Sequence, residues 1–167
     1  MDFVENVVSS MKKRSKYNVD MTQKGIKKRT YNGEVYDSLT ELQFLKEFIE
    51  LKMKTGEIVK WERQVPYVLQ EAFINFEGKS ILPIKYIADY VVWWKDGTFT
   101  VFDIKGNPDS ASKIKRKIFW KVYPNIKYVW MCRSIKFGDK THWISYDELE
   151  KLRKLEKKTN KLIGGNN

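Results

Sequence analysis

The sequence predicts an α/β sandwich: a central mixed β-sheet flanked by helices. Three observations carry this expectation. Helix signals open near Ser38, Ser110 and Ser145, with strand-like sequence between and after the first two. Two strong strand runs, Tyr86 to Trp94 and Thr98 to Lys105, are joined across Lys95-Asp96-Gly97. The first of these is apolar on both faces except at Asp89, as befits a central strand covered on both sides.

In chain order, residues 1–32 are polar and basic and read as a flexible arm. A single domain is expected over 33–167. Ser38-Leu39-Thr40-Glu41 opens a helix that runs to about Lys54, where Gly56 stops it; Leu42, Leu45, Phe48 and Ile49 form its apolar face. Val65 to Leu69 and Ile81 to Ile84 read as strands ahead of the hairpin. Gly106-Asn107-Pro108 then breaks the chain. The next helix spans about Ser110 to Val122, with Ile114, Ile118 and Val122 as its expected apolar stripe. Lys127 to Met131 is an apolar strand, and Trp143-Ile144 a short one. Ser145-Tyr146-Asp147-Glu148 has capping-box form and opens a charged helix to about Leu162.

Composition narrows the chemistry. The 167 residues hold 32 Lys and Arg against 21 acids, a net charge of +11, which points to a polyanionic partner. The single Cys132 forms no intrachain disulfide and fits a reducing compartment. With His142 the lone histidine, zinc sites built on several histidines are excluded, so hydrolytic chemistry must use carboxylates and lysines. There is no apolar run of membrane-spanning length and no basic-then-apolar leader, so a cytoplasmic location is expected. An RNA-binding reading lacks an RNP-like aromatic run.

Asp103-Ile104-Lys105 stands out by context. The same acid-x-lysine spacing occurs at Glu50/Lys52, Glu77/Lys79 and Glu156/Lys158, but only Asp103 closes an apolar strand. Residues two apart on a strand share a face, so Asp103 and Lys105 point the same way. The hairpin register decides whether Asp89 joins them. A two-residue loop would set Asp89 opposite Ile104. A three-residue loop, with Lys95-Asp96 as a turn and Gly97 left-handed, sets it opposite Asp103, and this register is expected. Facing carboxylates repel unless a cation lies between them, and oxygen-only ligands favour Mg²⁺ or Mn²⁺. A core ion pair, with Lys105 as partner, explains the same residues without a metal. Glu41 fits a helix-capping role with Ser38, and it also shares a helix face with Phe44, Leu45 and Phe48 that leans toward the core.

Taken together, Tyr36-Asp37-Ser38-Leu39-Thr40-Glu41, Gln64-Val65-Pro66, Tyr86-Ile87-Ala88-Asp89-Tyr90 and Val101-Phe102-Asp103-Ile104-Lys105-Gly106 resemble the PD-(D/E)XK nuclease superfamily. The likeness covers roughly Tyr31 to Met131 and is nearest to small phage endonuclease-like proteins and the TnsA-type nuclease domain. It implies a restriction-endonuclease-like core and a metal-dependent DNA endonuclease, encoded by a phage or mobile element and acting in the bacterial host cytoplasm. It also implies Glu41, Asp89, Asp103 and Lys105 as catalytic residues. Asp89, Asp103, Glu41 and the carbonyl of Ile104 would be the Mg²⁺ or Mn²⁺ ligands, with Gln64 in support. Ala88 stands where many members have proline, and Asp103 where glutamate is commoner. Two other readings stay open: a fork or four-way-junction resolvase of this fold, acting as a homodimer, and a catalytically inactive DNA-binding module.

For duplex or branched DNA, the residues expected to meet phosphates are Lys113, Lys115, Arg116, Lys117 and Lys121, with Lys27, Lys28 and Arg29 of the arm. A solvated helix face accounts for the first group equally well.

Overall fold

The computed structural model describes residues 19–163, which fall into two compact units, one ending at Leu45 and the other beginning at Lys46. Each is built from local signals that the chain carries.

In the first unit, the Thr22 hydroxyl caps helix α1 (Gln23–Lys28) by accepting from Gly25 N–H at 3.2 Å. Strands β1 (Thr30–Tyr31) and β2 (Glu34–Val35) pair antiparallel across Asn32-Gly33, both with left-handed φ (50° and 81°). A tight two-residue hairpin requires that conformation, and Asn-Gly supplies it at little cost. Arg29 is buried and donates to the Tyr36 carbonyl at 2.5 Å. Ser38 caps helix α2 (Leu39–Phe44). The expected arm therefore differs from its sequence reading. Its residues 1–18 lie outside the described residues, while 23–31 form a capped helix and a strand. The α1 residues lack an apolar stripe, so periodicity gave no sign of them.

The helix begun at Leu39 continues through a π-helical turn (Leu45–Ile49) into α3 (Glu50–Lys54), which ends at left-handed Gly56. All four expected apolar positions, Leu42, Leu45, Phe48 and Ile49, are buried.

The second unit contains a five-stranded sheet in the order β3-β6-β7-β8-β9, comprising β3 (Ile58–Gln70), β6 (Ile84–Trp94), β7 (Phe99–Ile104), β8 (Tyr128–Arg133) and β9 (Trp143–Ser145). Every pairing is antiparallel except β7 with β8, which helix α4 (Ser110–Val122) connects as a crossover. This is the expected mixed sheet, with Tyr86 to Trp94 inside it. On one face Phe119 of α4 is fully buried among the rings of Tyr67, Tyr86, Tyr123 and Tyr128. On the other, Phe48 meets Trp94 and Phe102 edge-on. Helix α5 (Tyr146–Ile163) starts at Ser145, whose hydroxyl accepts from Glu148 N–H at 3.3 Å, and packs Leu149 with Cys132 and Ile144.

Three strand and helix expectations need correction. The run read as Val65 to Leu69 is a thirteen-residue edge strand; its first half, Ile58 to Gln64, mixes charge with apolar residues as exposed edges do. Ile81 to Ile84 is no single strand. Instead β4 (Phe73–Ile74) pairs with β5 (Ser80–Ile81), and Leu82-Pro83 separates that hairpin from β6. On α4, Ile114 and Val122 are exposed, and Arg116 and Phe119 are buried instead. Arg116 occupies the core side because its guanidinium lies 4.4 Å from the ring centres of both Trp120 and Trp130 and makes two hydrogen bonds to Asp147.

Candidate active site

The expected hairpin register is present. Trp94 N–H donates to Thr98 O at 2.8 Å and Gly97 N–H to Trp94 O at 3.0 Å, with Gly97 left-handed at φ 84°. The ladder pairs Trp93 with Phe99 and ends at Tyr90 with Phe102. Extended one step, that register would set Asp89 against Asp103, beyond the last pair.

At this step the sheet forks. β6 stays paired with β3 as far as Ile84, and β7 stays paired with β8 as far as Ile104, but β6 and β7 pair no further. The Asp89 carboxylate spans the gap: its Oδ2 accepts from Ile104 N–H at 2.6 Å, where a ladder bond would otherwise lie. On the β3 side, Gln64 falls between the pairs Arg63 with Tyr90 and Val65 with Ala88, opposite Asp89, and has φ 54°. A non-glycine residue in this region inside a strand is strained. The strain goes with a change of face. Val65, Tyr67, Tyr86 and Ala88 lie with Val91 and Val101 in the α4-side cluster, although even and odd residues of a regular strand face opposite ways. The alternation reverses at Gln64 and Asp89.

Asp103 is 2% exposed, and its Oδ2 lies 2.7 Å from Lys105 Nζ. Its place on β7 puts it beside Trp130, on the face shared by Val101 and Tyr128. Burial works to lower the Lys105 pKa, but the charge and hydrogen bond of Asp103, then the charge of Asp89, hold it above the ordinary lysine value. Lys105 is therefore a cation that senses both carboxylates. Burial, followed by the negative charge of Asp103, pushes the phenols of Tyr86 and Tyr128 upward, so both stay protonated. The Tyr128 hydroxyl in turn accepts from Trp130 Nε1 at 2.7 Å.

The second unit thus brings together Asp89, Asp103, Ile104 and Lys105, with Gln64 across from Asp89. Glu41 belongs to the first unit, at the start of α2. There Ser38 Oγ accepts from Glu41 N–H at 3.1 Å and donates to Glu41 Oε1 at 2.9 Å, which is the capping arrangement that its sequence allowed.

Among the described residues, no three His, Cys, Asp or Glu side chains gather at metal-holding spacing. The oxygen donors at the fork are the two aspartates and nearby backbone carbonyls. The Asp103 Oδ2 is buried and, apart from the ion pair, makes no hydrogen bond of regular geometry. An oxygen set with spare acceptor capacity suits a hard divalent cation.

The expected DNA contacts divide. Lys113, Lys115, Lys117 and Lys121 are exposed on α4, as are Lys27 and Lys28 on α1. Arg116 and Arg29 are buried and committed to Asp147 and to the Tyr36 carbonyl, so neither offers a guanidinium to phosphate. Sequence reasoning also missed Tyr86, Tyr128 and Trp130 around Asp103. Alternation along Tyr128-Val129-Trp130 places the last two aromatics on one face, but only the parallel β7–β8 register reveals that Asp103 shares it.

No described helix is long and apolar enough to cross a membrane. A family model described as "Protein of unknown function (DUF1064)" matches residues 14–139, most of the chain and all of the fork. No curated protein matches the sequence.

Proposed function

The chain belongs to the DUF1064 family, and we propose that it is a metal-dependent DNA endonuclease with its site at the sheet fork. One observation carries this reading: where β6 and β7 part, Lys105 lies 2.7 Å from Asp103 and is held in its charged form by Asp103 and then by Asp89, whose carboxylate bridges to Ile104. Two acids and a lysine at the end of a split hairpin form the oxygen-and-ammonium set that phosphodiester hydrolysis needs where histidine is scarce.

Asp89, Asp103 and the carbonyl of Ile104 are the groups that would hold Mg²⁺ or Mn²⁺. When bound, such a cation supplies Lewis acidity and neutralises charge at a phosphodiester. The chain's own residues do the rest. The hydrogen bond from Ile104 fixes the Asp89 carboxylate, so it need not reorganise. Lys105 keeps its proton and donates to water and to the negative charge that develops on phosphate oxygen. The exposed lysines of α4, which follows the site in sequence, track the flanking phosphates. Glu41 accepts a hydrogen bond from the Ser38 hydroxyl, and the proposal does not depend on that residue.

A second reading, a DNA-binding module without catalysis, draws on the Asp103–Lys105 ion pair, which already neutralises the buried carboxylate. One experiment separates the two. Linear, flapped and four-way DNA are incubated side by side with the protein, with and without Mg²⁺ or Mn²⁺. Metal-dependent nicking that Asp103→Asn abolishes supports the nuclease, and preference for the four-way substrate adds the resolvase specificity. Binding with no nicking of any substrate overturns the proposal.

A further inference from the structure

We propose that Trp120 of α4 is a stacking platform for an unpaired DNA base, so that the DNA this chain takes has a single-stranded segment beside its duplex. This deepens the nuclease reading by naming the form of DNA, and it rests on the DNA-binding part of that reading.

Three other tryptophans are tied inward: the indole N–H groups of Trp94, Trp130 and Trp143 donate to Thr100, Tyr128 and Glu47. Trp120 is 44% exposed, and among the described residues its N–H has no acceptor in the chain. Its ring is nevertheless held. The guanidinium of buried Arg116 lies over one face, 4.4 Å from the ring centre, and two hydrogen bonds to Asp147 fix that guanidinium in turn. An aromatic face fixed before binding loses little side-chain freedom when a partner stacks on it. A single exposed aromatic residue is ordinary on a protein surface, but one mounted on a buried arginine is a prepared flat surface.

The charge around the ring selects what stacks there. Helix α4 carries Lys113, Lys115, Arg116, Lys117 and Lys121 and no acid. Lys113 and Lys117 precede Trp120 by seven and three residues, so they share its stripe of the helix, and Lys121 follows it directly. All three lysines are exposed, and among the described residues none is paired with an acid. Lysines set beside a flat aromatic ring match a nucleic-acid strand, whose phosphates meet the ammonium groups and whose bases meet the ring. Bases inside a duplex have both faces covered by their neighbours, so the ring takes a base that has left the stack. It reads no sequence, since every base has a flat face.

The platform also lies near the proposed site. Lys105 Nζ is 5.9 Å from the Trp130 ring centre, and Arg116 lies 4.4 Å from that centre and from the centre of Trp120. On a strand rising ~3.4 Å per nucleotide, this run of contacts spans only a few nucleotides.

Equilibrium binding of labelled DNA to the full chain, followed by fluorescence anisotropy in EDTA so that nothing is cut, tests the proposal. A blunt duplex is compared with the same duplex carrying a short thymidine tail. The tailed DNA should bind more tightly. Trp120→Ala should weaken the tailed complex by about tenfold and leave the blunt one near wild type, and Trp120→Phe, which keeps a ring, should recover most of the loss. Bromodeoxyuridine placed in the tail should cross-link under ultraviolet light to the peptide containing Trp120 in the wild-type chain, a readout that needs no variant to fold. Equal loss on both DNAs in Trp120→Ala, or no loss on either, overturns the proposal, and so does a cross-link found only elsewhere. A uridine tail of RNA bound more tightly than the thymidine tail would replace the partner and overturn it too. Failure to bind any DNA ends this proposal and the DNA reading together. Tail binding that depends on Trp120, in a chain that nicks nothing with metal, leaves this proposal standing and ends the nuclease.

Discussion

The carboxylate of Asp89 accepts the backbone N–H of Ile104 at 2.6 Å, so a side chain replaces a main-chain bond at the point where the sheet divides. The residue has a structural duty and, in the proposed chemistry, a charge duty, and two substitutions separate them. Asp89→Asn keeps an acceptor oxygen and loses the charge. It should unfold near the wild-type temperature yet lose cleavage by about 10²-fold or more. Asp89→Ala loses the bridge as well and should cost about 2 kcal/mol of stability, the range for a hydrogen bond to a charged group. Thermal unfolding read beside a nicking assay checks both. Equal destabilisation by the two variants would show that charge, not the bridge, holds the fork.

Asp103 and Lys105 make a buried pair, and the sign of its pH dependence follows from the raised Lys105 pKa. A group whose folded value is raised stabilises fully below its unfolded value and loses that contribution as pH climbs through the folded value. The pair should therefore be intact at neutral pH and weaken only above about pH 10.5, the ordinary lysine value. Lys105→Met, which strands the Asp103 carboxylate, should cost about 3 kcal/mol near pH 7. Denaturant unfolding across pH should show the gap between variant and wild type shrinking above that range. A gap that closes already near pH 8 would mean that Lys105 is not held in its charged form.

The central hairpin was legible because its turn and its odd residue both have local causes. Gly97 fixes a three-residue loop, the loop fixes the register, and the register carries Asp89 to the end of β7, where it bonds Ile104. The π-helical turn and the buried face of α4 were not legible. Arg116 reads as one more cation in a lysine-rich helix, and only tertiary partners, Trp130 from β8 and Asp147 from α5, bring it into the core. The reversal of faces at Gln64 was hidden for a related reason. Periodicity presumes a regular strand, and a left-handed residue breaks the rule at the place where the site forms.

Arg116 and its neighbours on α4 should consequently respond to different measurements. Replacing Lys113, Lys117 and Lys121 by glutamine should leave the unfolding temperature near wild type and weaken DNA binding, with the salt dependence falling by about 0.9 for each phosphate no longer neutralised. Arg116→Met should do the reverse, leaving the salt slope intact and lowering stability. Asp147 is more than half exposed, so the partner it loses can be partly replaced by water; a cost of about 2 kcal/mol is expected. The Asp147 carboxyl is held below its ordinary value, first by the Arg116 hydrogen bond. Its contribution is therefore present above about pH 4 and lost as pH falls through the folded value. Unfolding at acid pH should show that loss in the wild type and not in Arg116→Met.

Gln64 offers the sharpest separation of strain from chemistry. With φ 54° in the middle of β3, it occupies a conformation that costs an L-residue roughly 1–2 kcal/mol and glycine almost nothing. Gln64→Gly relieves that strain but adds about 0.5–1 kcal/mol of backbone entropy to the unfolded chain, so its stability should match or slightly exceed wild type. Gln64→Val, β-branched, should destabilise by about 2 kcal/mol, because its side chain cannot accept a left-handed backbone without clash. If the carboxamide also supports the site across from Asp89, Gln64→Gly will cut DNA more slowly than wild type despite its sound fold. Unchanged cleavage in that stable variant would reduce Gln64 to the hinge that turns β3 from one face to the other.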